Sequence, residues 1–248
     1  EALQRDDRGG FVCGDIGCYA MASLFPAAGF HTAKTLHAMG SGTGLASGFG
    51  KLGGFGMEQP VISVCGDSTF YHAALPALVN AIHQQANIIF VVLDNSGTAM
   101  TGFQPHPGTE ANAMGDPAPV IDIAAVCGAM GAEVVVGDPF ALRETQETLN
   151  DLLERDGGVK VLILKQSCAL SPEKKGKKQY LMRVDEHLCR GEDCGCNRLC
   201  TRIFRCPGLL WDRQTAKAMI DEVICAGCGV CAGICPAGAI TRGEAPKA

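Results

Sequence analysis

Four cysteines near the end of the chain have the spacing of iron–sulfur ligands. They read Cys225-x2-Cys228-x2-Cys231-x3-Cys235-Pro236. In such a run three thiolates hold one 4Fe–4S cluster, and the fourth cysteine ligates a neighbouring cluster. Structural zinc instead favours two separated C-x2-C pairs. The spacing therefore predicts a 4Fe–4S site and a role in electron transfer.

A second, irregular group of cysteines just upstream must supply the partner cluster. It offers five thiols where the pattern needs four: Cys189, Cys194, Cys196, Cys200 and Cys206. Cys206 precedes a proline, as Cys235 does, so we expect it to cross to the cluster of the downstream run. Cys189, Cys200 and Cys235 would hold the other cluster together with Cys194 or Cys196, since the C-x-C spacing makes joint ligation awkward. The alternative is that this upstream group is degenerate and that the cysteine module holds only one cluster.

An acid and an amide each follow an apolar run in the first part of the chain. Asp67 and Asn95 would stand at the carboxyl ends of two strands, where open α/β sheets bind their ligands. Carboxylate and amide oxygens suit Mg²⁺, which combines few protein ligands with phosphate oxygens. Gly66 allows close backbone approach, and the N–H groups of Ser68 and Thr69 at a helix start can receive a phosphate. Because the motif is short, the alternative is that these residues form only a turn and a helix cap and bind no metal.

The elements around these residues alternate between strand-like and helix-like stretches. Short apolar runs at 61–65, 88–93, 134–136 and 159–164 suit strands that are buried on both faces of a parallel sheet. Residues 72–84 and 139–155 have the spacing and length of helices. The pattern predicts an α/β fold, a doubly wound and mostly parallel sheet, over residues 1–170.

The composition changes near residue 170. Residues 171–178 form a charge run with Pro and Gly, which predicts a solvated basic linker over 171–184; docking to an acidic partner is the alternative. Residues 185–248 then form a small α+β domain of the two-cluster ferredoxin type. It is too small for a good apolar core, so cluster ligation must supply much of its stability.

The overall composition narrows the class of protein. The chain has 248 residues, of which 47% are hydrophobic and 19% are charged. Its net charge of −5 does not favour binding to nucleic acid or to an anionic membrane surface. It contains no apolar run of about 18 residues and no signal-peptide pattern. Nine of its 14 cysteines lie from Cys189 onward, which favours metal ligation in a reducing compartment over disulfides. We expect a soluble cytoplasmic protein.

Three stretches of the chain, together with the double cysteine module, resemble a known enzyme family. The stretches are Cys13-Gly-Asp-Ile-Gly-Cys-Tyr19, Val64-Cys-Gly-Asp-Ser-Thr-Phe-Tyr-His72 and Leu93-Asp-Asn-Ser-Gly-Thr-Ala-Met-Thr-Gly-Phe-Gln-Pro-His-Pro-Gly108. They are similar to the large (alpha) subunit of indolepyruvate ferredoxin oxidoreductases, of the 2-oxoacid:ferredoxin oxidoreductase superfamily. The resemblance covers essentially the whole chain, and the last stretch is its most specific part.

The resemblance implies a thiamine diphosphate site. Asp67 and Asn95 would ligate Mg²⁺ by their side chains and Gly97 by its carbonyl. The residues that would line the cofactor are Gly14, Asp15, Ile16, Gly17, Cys18, Gly66, Ser68, Thr69 and Thr101. Cys18 faces the thiamine or is a small buried hydrophobe. His72 and His106 meet the substrate or are structural.

The resemblance also implies a reaction and its partners. The reaction is the oxidative decarboxylation of arylpyruvates of the indolepyruvate type, with electrons passing through two 4Fe–4S clusters to an external ferredoxin and the acyl group to coenzyme A. A small (beta) subunit and a separate pyrimidine-binding domain would complete the enzyme. That domain would carry the activating glutamate, so the catalytic residue is expected outside this segment, which alone should bind poorly and turn over negligibly. The alternatives are a pyruvate or 2-oxoglutarate oxidoreductase, and an electron carrier without its own catalysis.

Overall fold

The computed structural model describes residues 3, 6–21, 33–174 and 176–244. The chain divides into two compact units. The sheet unit comprises Glu1–Pro139 and Arg143–Cys168, and the cysteine unit comprises Phe140–Leu142 and Ala169–Ala248. In the described part of the chain, no helix is both long and apolar enough to cross a membrane.

Six parallel strands form the centre of the sheet unit. They are β1 Phe11–Cys13, β2 Ala33–Thr35, β3 Val61–Gly66, β4 Ile88–Asp94, β5 Glu133–Gly137 and β6 Val159–Lys165. Their order across the sheet is β2-β1-β3-β4-β6-β5, and every described pairing is parallel. The structure therefore confirms the predicted α/β fold with a parallel sheet.

Strand β4 explains why the sheet is buried on both faces. Its side chains alternate between two hydrophobic clusters, since Ile88, Phe90 and Val92 belong to one cluster and Ile89 and Val91 to the other. Successive residues of a strand point to opposite faces, so a continuous apolar run can be satisfied only with layers on both sides. This is the physical basis of the doubly covered sheet.

Helices supply the layers on the two faces of the sheet. They are α1 Ser41–Phe49, α2 Leu75–His83, α3 Ile123–Ala129 and α4 Leu142–Glu154. A short helical turn, Asp67–Thr69, and a π-helical turn, Phe70–Ala74, lead from the end of β3 into α2. The helix predicted over 139–155 corresponds to α4, which begins three residues later than predicted, at Leu142. In α3, Asp122 caps the first turn by accepting the Ala125 N–H.

The cysteine unit contains two small antiparallel sheets. One pairs β7 Tyr180–Val184 with β10 Ile240–Glu244, and the other pairs β8 Leu209–Asp212 with β9 Lys217–Ile220. Strand β7 lies inside the stretch 171–184 that the sequence predicts as a linker. The core cluster of buried residues is Met182, Leu209, Cys231 and Ile240, and several further cysteines pack against it. These sheets are compatible with a small ferredoxin-like domain.

Candidate functional site

The predicted ligands Asp67 and Asn95 meet at one edge of the sheet. Strands β3 and β4 are neighbours, and Gly66 pairs with Leu93 at their carboxyl ends. Asp67 begins the helical turn that follows β3, and Asn95 comes directly after β4. Parallel strands end at the same edge, so their register alone brings the acid and the amide together.

The Asp67 carboxylate organises this edge through backbone N–H groups. Its Oδ1 accepts from Ser68 N at 2.8 Å, and its Oδ2 accepts from Asn95 N and Gly97 N, both at 3.1 Å. The side chain of Asn95 turns back, and its Oδ1 accepts from Gly97 N at 3.2 Å. Asp67 is buried, with 2% of its surface exposed. The structure thus brings all three predicted magnesium ligands together.

A cavity of about 380 Å³ opens beside this group. Ten of the twelve predicted cofactor-binding residues line it: Ile16, Gly17, Cys18, Gly66, Asp67, Ser68, Thr69, Asn95, Gly97 and Thr101. Gly14 and Asp15, the other two, are buried and do not line it. The rest of its wall is mostly apolar and includes Tyr19, Met39, Leu93 and Met100. An apolar cavity with polar oxygens at one end suits an aromatic cofactor with a metal-bound diphosphate.

Two buried polar atoms near the cavity have no hydrogen-bond partner among the described residues, the Oδ2 of Asp15 and the hydroxyl of Tyr19. The other carboxylate oxygen of Asp15 accepts from Ile16 N and Gly40 N. Burial raises the pKa of Asp15 above its usual value. Burial and the nearby Asp15 raise the pKa of Tyr19, which stays a neutral donor. A buried polar atom without a partner calls for a water, an ion or a ligand. Of these two residues only Tyr19 lies on the cavity wall, and its hydroxyl fits a ligand with a polar atom there.

The structure shows where several residues singled out in the sequence lie. Cys18 is exposed and lines the cavity, so the alternative of a buried hydrophobe is wrong. The Ser68 N–H, expected to receive a phosphate, donates instead to the adjacent Asp67 carboxylate. His72 is exposed and does not line the cavity. Tyr19 was missed because a single aromatic residue after a glycine loop carries no periodic signal.

His106 is buried behind the ligand group rather than in the cavity. Its Nε2 lies 3.1 Å from Asp67 Oδ2, with 1% of the histidine side chain and 3% of the aspartate side chain exposed. The two atoms are close but not aligned as a well-directed hydrogen bond. Its Nδ1 accepts from Gly108 N at 3.0 Å, and its ring lies against Tyr71 with centroids 5.3 Å apart. It contacts the predicted metal ligand and does not line the cavity.

The thiols of the cysteine unit form two neighbourhoods. Burial, together with the nearby thiols of Cys228, Cys206 and Cys225, raises the pKa of Cys231 to about 11. Burial likewise raises the pKa of Cys200, and its neighbouring thiols are Cys196, Cys235 and Cys189. A hydrogen bond between the half-buried thiols of Cys194 and Cys196 lowers the pKa of Cys196 and raises that of Cys194.

No group of three or more His, Cys, Asp or Glu side chains within the described ranges converges as a single metal ion requires. A zinc ion needs its thiolates about 2.3 Å from one centre. In a 4Fe–4S cluster each cysteine ligates a different iron, so the sulfurs stay further apart. The two clusters stay a prediction.

Comparison with known proteins identifies the family to which the sheet unit belongs. The family described as "Thiamine pyrophosphate enzyme, C-terminal TPP binding domain" matches residues 15–163. The chain is 40% identical over 243 residues to "Indolepyruvate oxidoreductase subunit IorA" of Pyrococcus horikoshii, covering 92% of this chain and 36% of the relative. The protein of the same name from Methanothermobacter thermautotrophicus is 40% identical over 227 residues, covering 91% and 34%. The chain thus spans about a third of the length of these curated relatives.

Among solved structures, a 2-oxoglutarate:ferredoxin oxidoreductase from Magnetococcus marinus is similar in fold. The TM-score is 0.54 with 15% sequence identity, over 67% of this chain and 58% of that chain. That structure contains 2-oxoglutarate, coenzyme A and succinyl-CoA. At this level of identity the likeness shows a shared fold and nothing about the substrate.

Proposed function

This chain belongs to the family of thiamine pyrophosphate enzymes with a C-terminal TPP-binding domain, and we propose that it is the cofactor-binding and electron-transfer part of a 2-oxoacid:ferredoxin oxidoreductase. The observation that carries the proposal is the Asp67 carboxylate, tied to Asn95 and Gly97 at the ends of adjacent strands. When bound, thiamine diphosphate supplies the nucleophilic carbon for decarboxylating a 2-oxoacid. Family membership, the cavity and the ligand geometry all support this site.

In the proposed site this chain's residues bind and orient. Asp67 Oδ1, Asn95 Oδ1 and the Gly97 carbonyl are the hard oxygen ligands that Mg²⁺ prefers beside a diphosphate. The apolar wall that includes Leu93, Met39 and Met100 would lie against the ring of the cofactor. Low polarity strengthens electrostatic interactions within the site.

The proposed substrate class is the arylpyruvates, with indolepyruvate as the type. The IorA relatives, named as subunits of indolepyruvate oxidoreductases, support it. The test compares ferredoxin reduction by the full-length enzyme with indolepyruvate, pyruvate and 2-oxoglutarate in the presence of coenzyme A. A higher kcat/KM for indolepyruvate is expected, and preference for either of the other acids would reassign the enzyme within its superfamily.

We also propose two 4Fe–4S clusters in the cysteine unit. One would be held by Cys206, Cys225, Cys228 and Cys231, and the other by Cys189, Cys196, Cys200 and Cys235. Cys196 is preferred over Cys194 because the thiols near Cys200 are those of Cys196, Cys235 and Cys189. The thiolate is the form that binds metal. Such clusters pass single electrons to an external ferredoxin.

The proposed enzyme needs components beyond this segment. The relatives are about three times as long and are named as subunits. We place the pyrimidine-binding domain with its activating glutamate in that additional length, and the small subunit beside it, in a cytoplasmic complex. General acid–base help is typically worth about 100- to 10,000-fold. The segment alone should therefore turn over negligibly.

The cofactor proposal has a direct test. Full-length protein purified without oxygen should contain about one thiamine diphosphate per chain, measured after acid release by conversion to fluorescent thiochrome. Asp67→Ala should lose the cofactor, because it removes the carboxylate ligand. His83→Ala, an exposed change at the end of α2, should keep it. Equal retention by Asp67→Ala, or absence of the cofactor from wild type, would favour the electron-carrier alternative.

A further inference from the structure

We propose that His106 is a positioning residue that fixes the Asp67 carboxylate, so that Oδ2 stays within the protein and Oδ1 is presented to Mg²⁺. The inference rests on the proposed magnesium site. It concerns a residue that lies outside the cavity and 39 positions along the chain from the aspartate. Three features of the structure lead to it.

The first feature is that the backbone and the ring of His106 are held in place by their neighbours. His106 lies at the start of a tight turn in which Thr109 N donates to its carbonyl at 2.8 Å. The Thr109 hydroxyl accepts from His106 N at 3.1 Å. The Pro107 carbonyl ties the turn to the start of α3 by accepting from Ile121 N at 2.9 Å. With Tyr71 against its ring, the imidazole has little freedom to turn.

The second feature is the location of the ring proton. His106 Nδ1 accepts from Gly108 N at 3.0 Å, so it carries no hydrogen. In a neutral imidazole the other nitrogen is then the donor. The hydrogen on Nε2 therefore lies on the side of Asp67 Oδ2, 3.1 Å away. The contact is close without being a well-aligned hydrogen bond.

The third feature is the asymmetry of the Asp67 carboxylate. Oδ2 receives Asn95 N and Gly97 N and is approached by His106, whereas Oδ1 receives only Ser68 N. A carboxylate oxygen has about two strong acceptor sites, so Oδ1 keeps one free, whereas three groups of the protein surround Oδ2. Mg²⁺ would bind the oxygen with the free lone pair. Groups that orient metal ligands in this way are typically worth about 10- to 100-fold in metal affinity.

The test uses two polar replacements, each of which keeps a different one of the two polar contacts of the imidazole. The side-chain amide of His106→Gln reaches the position of Nε2 and can donate to Asp67. The shorter His106→Asn can accept from Gly108 N but cannot reach Asp67. His83→Asn is a matched control on an exposed histidine. The measured quantity is the Mg²⁺ concentration that half-saturates thiamine diphosphate binding in full-length protein, by equilibrium dialysis with labelled cofactor.

His106→Asn should raise the half-saturating Mg²⁺ concentration about 10- to 100-fold, and His106→Gln should recover most of that loss. The control should match wild type. Wild-type affinity in His106→Asn, or equal losses in both variants, would overturn the positioning role in favour of simple packing. Wild-type protein that binds the cofactor without Mg²⁺, or not at all, would refute the proposed function instead.

If His106→Asn fails to fold, Tyr71→Leu gives the second measurement. It removes the ring against the imidazole but leaves every polar atom of Asp67 and His106 in place. Freed from this support, the imidazole should position Asp67 less well, and the Mg²⁺ requirement should rise several-fold. An unchanged requirement in Tyr71→Leu would overturn the claim that a rigid imidazole is needed.

Discussion

Replacing Gly42 with alanine tests how the loop of the cofactor site is held against the sheet. Gly42 is buried in the first turn of α1, beside the end of β1. A new Cβ there would lie 2.6 Å from the Gly14 carbonyl oxygen and 2.9 Å from that of Cys13. Both are backbone atoms, so they cannot swing aside as the end of a side chain could. Either α1 or the loop that carries Asp15 must move.

The expected size of the effect follows from two opposing contributions. Overpacking a filled site costs about 1–3 kcal/mol, while alanine in a helix gains about 0.5–1 kcal/mol over glycine. We therefore expect Gly42→Ala to lower the opening free energy of α1 by about 1–2 kcal/mol. Gly44 and Gly48 on the same helix are exposed, and a Cβ added to either would have no neighbour within 4 Å. Alanine there should raise that free energy by about 0.5–1 kcal/mol.

Native-state hydrogen exchange of the α1 amides in full-length protein measures this difference. Gly42→Ala should speed exchange about 5- to 30-fold, and Gly44→Ala should slow it about 2- to 5-fold, since 1.4 kcal/mol corresponds to a factor of ten. The same protein samples should show weaker thiamine diphosphate binding only for Gly42→Ala. Changes of the same sign and size in both variants would refute the close approach of α1 to β1.

Two further predictions concern the clusters and the histidine turn. Cys196→Ser should lower iron from about eight to about four per chain by colorimetric assay, whereas Cys194→Ser should keep about eight; the reverse result would assign Cys194 as the ligand. Gly108→Ala would bring a Cβ within 2.5 Å of the Tyr71 hydroxyl and 3.0 Å of His106 Cε1. Gly108→Ala should raise the Mg²⁺ requirement about tenfold in the dialysis assay. Gly53→Ala should not, because a Cβ there meets open space. Equal Mg²⁺ requirements in the two variants would contradict the role of this turn in holding His106.

The parallel sheet and the Asp67–Asn95 edge could be predicted because each depends on local patterns and one general rule. The run Ile88–Leu93 is apolar at successive positions, which suits a strand covered on both faces. Once two such strands are parallel, the residues after them share an edge. No long-range contact had to be known in advance.

His106 and strand β7 could not be predicted in the same way. The approach of His106 to Asp67 depends on the path of an irregular loop, which has no periodicity to read. Strand β7, Tyr180–Val184, follows a lysine-rich stretch and pairs with residues about 60 positions later. Its partner is set by tertiary packing around Met182 and Ile240, and the local charge pattern carries no information about it.

The two proposed metal sites differ in what organises them. Asp67 is held in position by three backbone N–H groups, so the magnesium site is set by the fold of the sheet unit before any metal binds. In the cysteine unit burial raises the pKa of Cys231 to about 11, which favours the neutral thiol, and iron must displace those protons. Metal binding there is coupled to deprotonation and to the stability of a small core. Strand register therefore suffices to bring Asp67 and Asn95 to one edge of the sheet, whereas the arrangement of the nine thiols does not follow from any strand register.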